Sequence, residues 1–364
     1  MSVLATNAIT DASGGNTTTI NGLTPTVSNM AGRNLIINGA MQVAQRGTST
    51  SGVTTTDGYY ACDRWRTQTD YGTWTISQDT DAPNGFSNSM KLLCTSGGTS
   101  NSNEISLHYY FEGQDVQGLA YGTSDAKEIT ASFWIKSNTT GTYTLRFYIE
   151  DTNRPEVSKT FTIDTADTWE YKTVTVPANT SYSVTNDNTF GFGLLWYFGA
   201  ASSFTSAPLN ETWNTSVSAN SVNSDIPGLG GSTNDYVQIT GVQLEAGSVA
   251  TPFEHRQYGQ ELALCQRYYE IIGRAIGTAG YADIWSQPLN GFTNFWTDVR
   301  FKVEKRAPNY SFGLFPTWDW SGAAPSIRTA STSALVFNAA NFNYLFSSPA
   351  LNNNEPAAFV SSEL

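Results

Sequence analysis

The sequence predicts an all-β protein: a jelly-roll β-sandwich followed by one short helix and a second, smaller β domain. Three observations predict it. Charged residues make up 14% and aromatics 13% of the chain, with Ser, Thr, Asn and Gly filling the polar positions, a balance that favours short strands and turns over helices. Side chains alternate with period two in segment after segment, as a strand with one buried face requires. Only one stretch, 257–272, carries helical spacing.

At 364 residues the chain is longer than one hydrophobic core normally serves, so two domains and an extension are expected. Residues 1–32, with TDASGGNTTTINGLTPT at 10–26, hold too few large apolar side chains for a core. They read as an extended arm that anchors on a neighbour. The sandwich should occupy 33–256. In ITASFWIKS, Ile129, Ala131, Phe133 and Ile135 share one face, and Thr130, Ser132, Trp134 and Lys136 the other. TYTLRFYIED repeats the pattern with Tyr143, Leu145, Phe147 and Ile149 inward and Arg146 and Tyr148 outward, and the intervening NTTG predicts that 129–150 is a hairpin. Further strands are expected at 35–43, 73–77, 90–94, 105–111, 159–163, 169–176, 189–198 and 236–245. In the last of these the phase breaks at Thr240–Gly241, which predicts a bulge. The stretch 199–235 lacks periodicity and contains Pro208, Pro227 and GLGG, so it should be a long flap over one edge of the sandwich.

The segment QYGQELALCQRYYEII predicts a connector helix over 257–272, with Tyr258, Leu262, Cys265, Tyr269 and Ile272 on one apolar stripe suited to an interface between domains or subunits. After it, TDVRFKVEK at 297–305, ALVFNA, NYLF and AAFVSSEL predict the strands of a smaller β domain over 273–364.

The net charge of −12, with no run dense in Lys or Arg, argues against a nucleic-acid partner. Met1–Ile9 lacks a basic region and an apolar run, and no segment of about 18 apolar residues occurs; neither export by a signal peptide nor membrane insertion is expected. Cys62, Cys94 and Cys265 allow at most one bridge. The two histidines, His108 and His255, sit at neither metal nor triad spacing, and HExxH, GxSxG and P-loop motifs are missing, so no enzymatic activity is expected. Paired carboxylates for glycoside cleavage are a test that any chain with 31 acidic residues passes. The run Asp79-Thr80-Asp81-Ala82-Pro83-Asn84-Gly85 is similar to a calcium loop, with Asp79, Asp81 and Asn84 as oxygen donors, but Asn84 and Gly85 fall one position late and an ordinary Asx turn is the simpler reading. No other cofactor is called for. Trp134 and Tyr148, on polar faces, are the candidates for stacking on glycans, whereas Trp196, in phase with Phe190, Phe192 and Leu194, reads as core. His255 and Arg256 read as a hydrogen-bonding hinge.

Four stretches carry a resemblance: NLIINGAMQVAQRGTS at 34–49 with Asp63-Arg64-Trp65, ITGVQLEAGSVATPFEHRQYGQELALCQRYYEII at 239–272, VRFKVEKRAPNYSF, and the terminal SSEL. Together they resemble a family of tailed-bacteriophage virion proteins, chiefly tail fibres and related tail-surface proteins. Lys305, Arg306, Ala307, Pro308 and Asn309 match the family's Met-Arg-Ala-Ala-Pro-Thr type run only partly. The resemblance implies a virion location, a carbohydrate-binding-module-like sandwich and, for a fibre, a homotrimer. Its partners would be other tail or capsid proteins, through the arm, and host-surface glycans. A purely architectural role, as head decoration or baseplate component, is the alternative.

Overall fold

The computed structural model describes residues 32–99, 104–151, 153–272, 294–306, 311–314, 341–347 and 358–363. The expected arm, but for Gly32, and the candidate strand at 334–339 lie outside them. The chain divides into two compact units, Met1–Arg256 and Gln257–Leu364.

The first unit is a jelly-roll-like sandwich of β1 (Ser49–Tyr59), β2 (Arg66–Asp79), β3 (Ser89–Ser96), β4 (Glu104–Glu112), β5 (Ile129–Ser137), β6 (Gly141–Ile149), β7 (Pro155–Ile163), β8 (Glu170–Val176), β9 (Phe190–Ala200), β10 (Asn214–Thr215) and β11 (Tyr236–Ala246), with a short helix α1 (Ser202–Thr205) before β10. The strands form one antiparallel sheet in the order β10-β7-β6-β9-β4-β2-β3-β11-β5-β8, with β1 paired to β2. That sheet makes two walls because β2 serves both. Its first half, Arg66–Thr69, pairs with β4, and its second, Thr73–Asp79, pairs with β3. Gly72 stands between the halves at φ 75°, and a Cβ there would lie 3.0 Å from the Ser96 carbonyl oxygen.

The alternating apolar residues of both walls face each other. Phe133 of β5 lies 5.8 Å from Trp196 of β9 and 5.2 Å from Phe161 of β7, ring centre to ring centre and edge to face, so aromatic rings from opposite walls interlock across the core. Trp196, as expected, is fully buried.

Three local expectations change. β5 and β6 are not a hairpin: β5 pairs with β11 and β8, and β6 with β7 and β9. The NTTG segment carries the chain from one wall to the other, which lets the apolar faces of both strands meet across the core and not lie side by side. Residues 35–43 are a turn, not a strand, because side chains take over the hydrogen bonds a ladder would supply. β1 was not expected, since STSGVTTTDGY shows no apolar alternation; it is recruited by pairing along β2. The bulge in β11 lies where the phase break predicts it, with the register to β5 shifting between Thr240 and Gln243.

The turn at 35–43 is part of a clasp between the two ends of the unit. Asn34 donates from Nδ2 to the Val242 carbonyl (3.1 Å), while its Oδ1 accepts from the Ile36 and Leu244 amides at 2.9 and 3.1 Å. The Glu254 carboxylate accepts from the Gly32 amide at 2.6 Å and the Asn34 amide at 2.8 Å. Arg256 donates to the Ile36 carbonyl (2.8 Å) and to the Asn34 carbonyl. Asn38, at φ 59°, donates to the Val43 and Asp63 carbonyls at 2.8 and 2.9 Å, and Trp65 Nε1 donates to the Asn38 carbonyl at 3.0 Å. Gly39 is obligatory here, since a Cβ would lie 2.1 Å from the Val242 oxygen.

The second unit opens with α2 (Tyr258–Gln266), followed by β12 (Tyr269–Ile272), β13 (Asn294–Arg300), β14 (Ser311–Leu314), β15 (Asn341–Ser347) and β16 (Ala358–Ser361). They form a three-stranded sheet, β12-β16-β14, and a pair, β13-β15. The helix expected over 257–272 therefore ends at Gln266. Tyr269–Ile272, rich in aromatic and β-branched residues, pair with Ala358–Ser361, and the ladder outweighs continued helical periodicity. Tyr269 and Ile272 leave the predicted stripe for a strand; Tyr258 is 56% exposed, Leu262 half-buried and Cys265 buried. The strand expected at 297–305 stops at Arg300. Beyond it Lys305 is buried, donating to the Gln266 carbonyl and the Glu270 carboxylate, each at 2.5 Å. Arg306 donates to the Ser362 carbonyl at 2.7 Å.

None of the three cysteines forms a disulfide and all are buried, and burial, reinforced by Asp63, pushes the Cys62 thiol up. Among the described residues no helix is long and apolar enough to cross a membrane.

Two predictions follow from the clasp's geometry. Asn34→Ala strands a buried carbonyl and two amides, and should lower the unfolding free energy by about 2–3 kcal/mol in chemical denaturation; a change below about 0.5 kcal/mol would show that the clasp is not structural. Burial pushes the Glu254 carboxyl up, but the Asn34 and Gly32 amides, with Arg256 and Arg33 nearby, outweigh it and hold the carboxyl below its ordinary value. Its stabilisation is therefore complete above the unfolded glutamate value, about 4.3, and is lost as pH falls through the lower native value. Glu254→Gln should unfold more readily than wild type at pH 7, with the gap closing on acidification; a gap independent of pH would refute the assignment.

Candidate functional site

The wall β2-β3-β11-β5-β8 opens on its outward side around Tyr171, Trp134, Lys136, Lys91 and Tyr236, whereas the outward Thr130, Ser132, Gln238 and Thr240 are buried. Trp134 of β5 is directly opposite Tyr171 of β8, and their rings lie 5.4 Å apart at 50°. Trp134 is half-buried, and Tyr171, 44% exposed, is among the few large apolar side chains that the first unit leaves open to solvent. The β alternation forces this placement: Val174 and Val176 turn inward, so Tyr171 and Thr173 must turn out.

One step along β5, Lys136 forms an ion pair with Asp81, and its ammonium stands 5.5 Å from the centre of the Trp169 ring. Trp169 Nε1 donates to Asp81 Oδ1 at 3.0 Å. Hydrogen bonding from Lys136, together with that indole, holds the Asp81 carboxyl below its ordinary value. One step further, Asn138 Oδ1 accepts from the Tyr236 amide at 2.9 Å. Tyr236 donates its hydroxyl to Asp167 (2.5 Å) and lies under the Lys91 ammonium, 5.2 Å from the ring centre. Lys91 in turn pairs with Asp79 at 3.3 Å. Lys172 and Glu170, in phase with Val174 and Val176, lie on the other face of β8 from Tyr171, where Lys172 reaches Glu170 at 2.6 Å and Asp164 at 3.0 Å. Burial opposes ionisation of Glu170, but Lys172 and the Thr165 and Asp164 amides prevail and its carboxyl stays below the usual range. The result is a ledge on which one aromatic pair stands without a covering cation among the described residues, bordered by the Lys91–Asp79 and Lys136–Asp81 ion pairs.

The expected calcium ligands are part of this border. Asp79 Oδ1 accepts from the Asp81 amide at 2.9 Å, an Asx turn, and both carboxylates face lysines, while Asn84 is exposed. No group of three or more metal-binding side chains gathers among the described residues.

Tyr148 lies on the other wall. It points outward from β6 as alternation requires, yet is only 8% exposed, because segment 201–226 packs over this face. Ser216 and Ser221 of that segment donate to the buried Glu156 carboxylate at 2.7 and 2.9 Å, and Glu156 pairs with Arg146. The Arg146 guanidinium lies 4.9 Å from the centre of the Tyr148 ring, and Phe190 meets Tyr148 edge to face at 5.4 Å. The expectation of an exposed Tyr148 is thus corrected: facing away from the core is not the same as facing water when a flap covers the face. The two sequence candidates are not brought together, since β5 and β6 belong to opposite walls. Tyr171, Trp169 and Tyr236 were not singled out from sequence. The alternation in EYKTVTV was enough to turn Tyr171 outward, but only the register of β8 on β5 places it against Trp134.

No family model matches the chain, and no curated protein matches it. Among solved structures the chain is similar to the enzymatically active domain of tailspike protein 4 of bacteriophage CBA120, at 13% identity and TM-score 0.32, over 58% of this chain and 21% of that one. It is also similar to TmCBM61 in complex with β-1,4-galactotriose, at 9% identity and TM-score 0.30, over 59% of this chain and 99% of that one. A third is a family 11 carbohydrate-binding module from Clostridium thermocellum in complex with a β-1,3-1,4-mixed-linked tetrasaccharide, at 11% identity and TM-score 0.26, over 57% of this chain and 98% of that one. The chain thus spans 21% of the tailspike domain.

Asp81→Ala tests the border of the ledge. Because the Asp81–Lys136 pair is exposed on the Asp81 side, stability should change by no more than about 1 kcal/mol. Trp169 should lose its indole acceptor and its emission should shift to the red; an unchanged spectrum would mean that the Trp169–Asp81 contact is not formed in solution.

Proposed function

We propose that this protein is a surface component of a tailed-phage particle, a tail fibre or tail-surface protein, that contributes to host attachment by binding cell-surface glycans on the Trp134–Tyr171 ledge. The observation that carries the reading is an open aromatic pair set among fixed hydrogen-bonding groups on a rigid sheet. An apolar ring face packs against the C–H face of a sugar, and flanking carboxylates and ammonium groups satisfy its hydroxyls. The virion assignment rests on the resemblance carried by the 34–49, 63–65, 239–272 and C-terminal stretches. In that setting the N-terminal arm would engage other tail or capsid proteins, and assembly as a homotrimer would present several ledges at once, so that weak single contacts add up through multivalency. The protein acts as a binding module and not as a glycan-cleaving enzyme: on the ledge Asp79 and Asp81 are each held by a lysine, an arrangement suited to hydrogen bonding and not to proton transfer.

One observation favours a second reading, an architectural virion component without receptor contact: Asn34, Glu254 and Arg256, in stretches that carry the family resemblance, build the clasp, whereas Trp134 and Tyr171 lie outside those stretches. Saturable binding of the full chain to host-surface polysaccharide separates the two. The glycan reading predicts such binding and a loss of about tenfold, or about 1.4 kcal/mol, in Tyr171→Ala and in Trp134→Ala; no saturable binding to host cells or glycan arrays would leave the architectural role.

A further inference from the structure

Resting on the glycan-binding reading, we infer that the ledge is built for neutral, hydroxyl-rich glycans and discriminates against uronic and sialic acids. The ledge holds the ammonium groups of Lys91 and Lys136 and the carboxylates of Asp79, Asp81 and Asp167, three negative groups against two positive. Each lysine is already committed: Lys91 to Asp79 and Lys136 to Asp81. A glycan carboxylate would have to displace a protein carboxylate that is covalently positioned beside its cation, and would meet the remaining negative groups and a chain of net charge −12. Lys136 and Lys91 also stand over the Trp169 and Tyr236 rings, whereas Trp134 and Tyr171 carry no such cap. The one open stacking place therefore offers no spare positive charge.

What the ledge does offer is acceptors. Ionised carboxylates accept hydrogen bonds and donate none, and Asp81 and Asp79 keep lone pairs beyond those their lysines occupy. A ligand that stacks on Tyr171 and supplies several O–H donors is satisfied; one that supplies another carboxylate is repelled. This is discrimination by repulsion at the border of an otherwise permissive aromatic contact.

The test compares the full chain binding to neutral and to uronate- or sialate-containing oligosaccharides of equal length, by titration calorimetry at about 0.1 M and about 1 M salt. Neutral glycans should bind with an affinity nearly independent of salt, and acidic ones about tenfold or more weaker, the difference narrowing as salt rises. The double variant Asp79→Asn, Asp81→Asn frees Lys91 and Lys136 and should gain affinity for the acidic series while Tyr171→Ala loses affinity for the neutral one. Circular dichroism and thermal melting of both variants exclude loss of fold. Equal or stronger binding of acidic glycans by wild type would overturn the charge discrimination and leave the glycan-binding reading standing; binding of neither series would overturn both.

Discussion

The first unit depends on one constraint: the chain must be fastened to itself at both ends of the sandwich before the walls can close. Asn34 and Glu254, 220 residues apart, do this through main-chain contacts. A single amide side chain, Asn34, satisfies the Ile36 and Leu244 amides and the Val242 carbonyl, groups that would otherwise be buried unpaired at a cost of about 1–3 kcal/mol each. Leu35 adds a bond from its amide to the Leu244 carbonyl at 2.9 Å, so the entry segment runs beside β11 without becoming a regular strand. The clasp also fixes the bulge: Val242 donates to the Gly39 carbonyl at 2.9 Å, in the interval where β11 loses register with β5. Register on β5 decides which residues of β11 and β8 stand beside Trp134, and so the clasp and the ledge are linked through one strand.

Alternation made the walls legible in the sequence, because a buried face imposes period two on every strand that contributes to it. It gave the inward residues of β5 and β6 and the outward direction of Trp134 and Tyr148. What it could not give is pairing. A turn sequence such as NTTG reverses the chain but does not say whether the next strand stays in the sheet or crosses to the other wall, and hydrogen-bond partners are chosen by long-range packing, here by Phe133 meeting Phe161 and Trp196 across the core. β1 escaped notice for the complementary reason: a Ser/Thr-rich edge strand lying along β2 buries little and so carries no apolar signal.

The site was legible in part for the same reason. Trp134 could be turned outward from its own strand; its partner could not be named without the register. Tyr148 failed because exposure is a property of what lies above a face, and 201–226, aperiodic in sequence, organises through contacts such as Ser221 to Glu156 that join residues 65 positions apart. The helix over-extended because Tyr269 and Ile272 satisfy helical spacing as well as strand propensity. The decision is made by Ala358–Ser361, which offers a ladder to β12.

The second unit repeats the logic of the first. Segments around Gln266–Glu270, at Lys302–Arg306 and at the C-terminal Ser361–Glu363 converge on each other: Lys305 joins Gln266 to Glu270, and Arg306 and Arg267 both meet Ser362. Burial pulls the Lys305 ammonium below its ordinary value while Glu270 opposes the change. Such a pair is costly to bury and fails badly if either partner is removed, which ties these positions to the fold. In both units, then, one set of residues holds main chain together, whereas Tyr171, Trp169 and Lys136 touch nothing in the clasp. A body specified by one set of residues and a surface specified by another can keep its architecture while its ligand changes. The stretches that hold main chain together therefore report on the fold, and the ledge must be read from its own side chains.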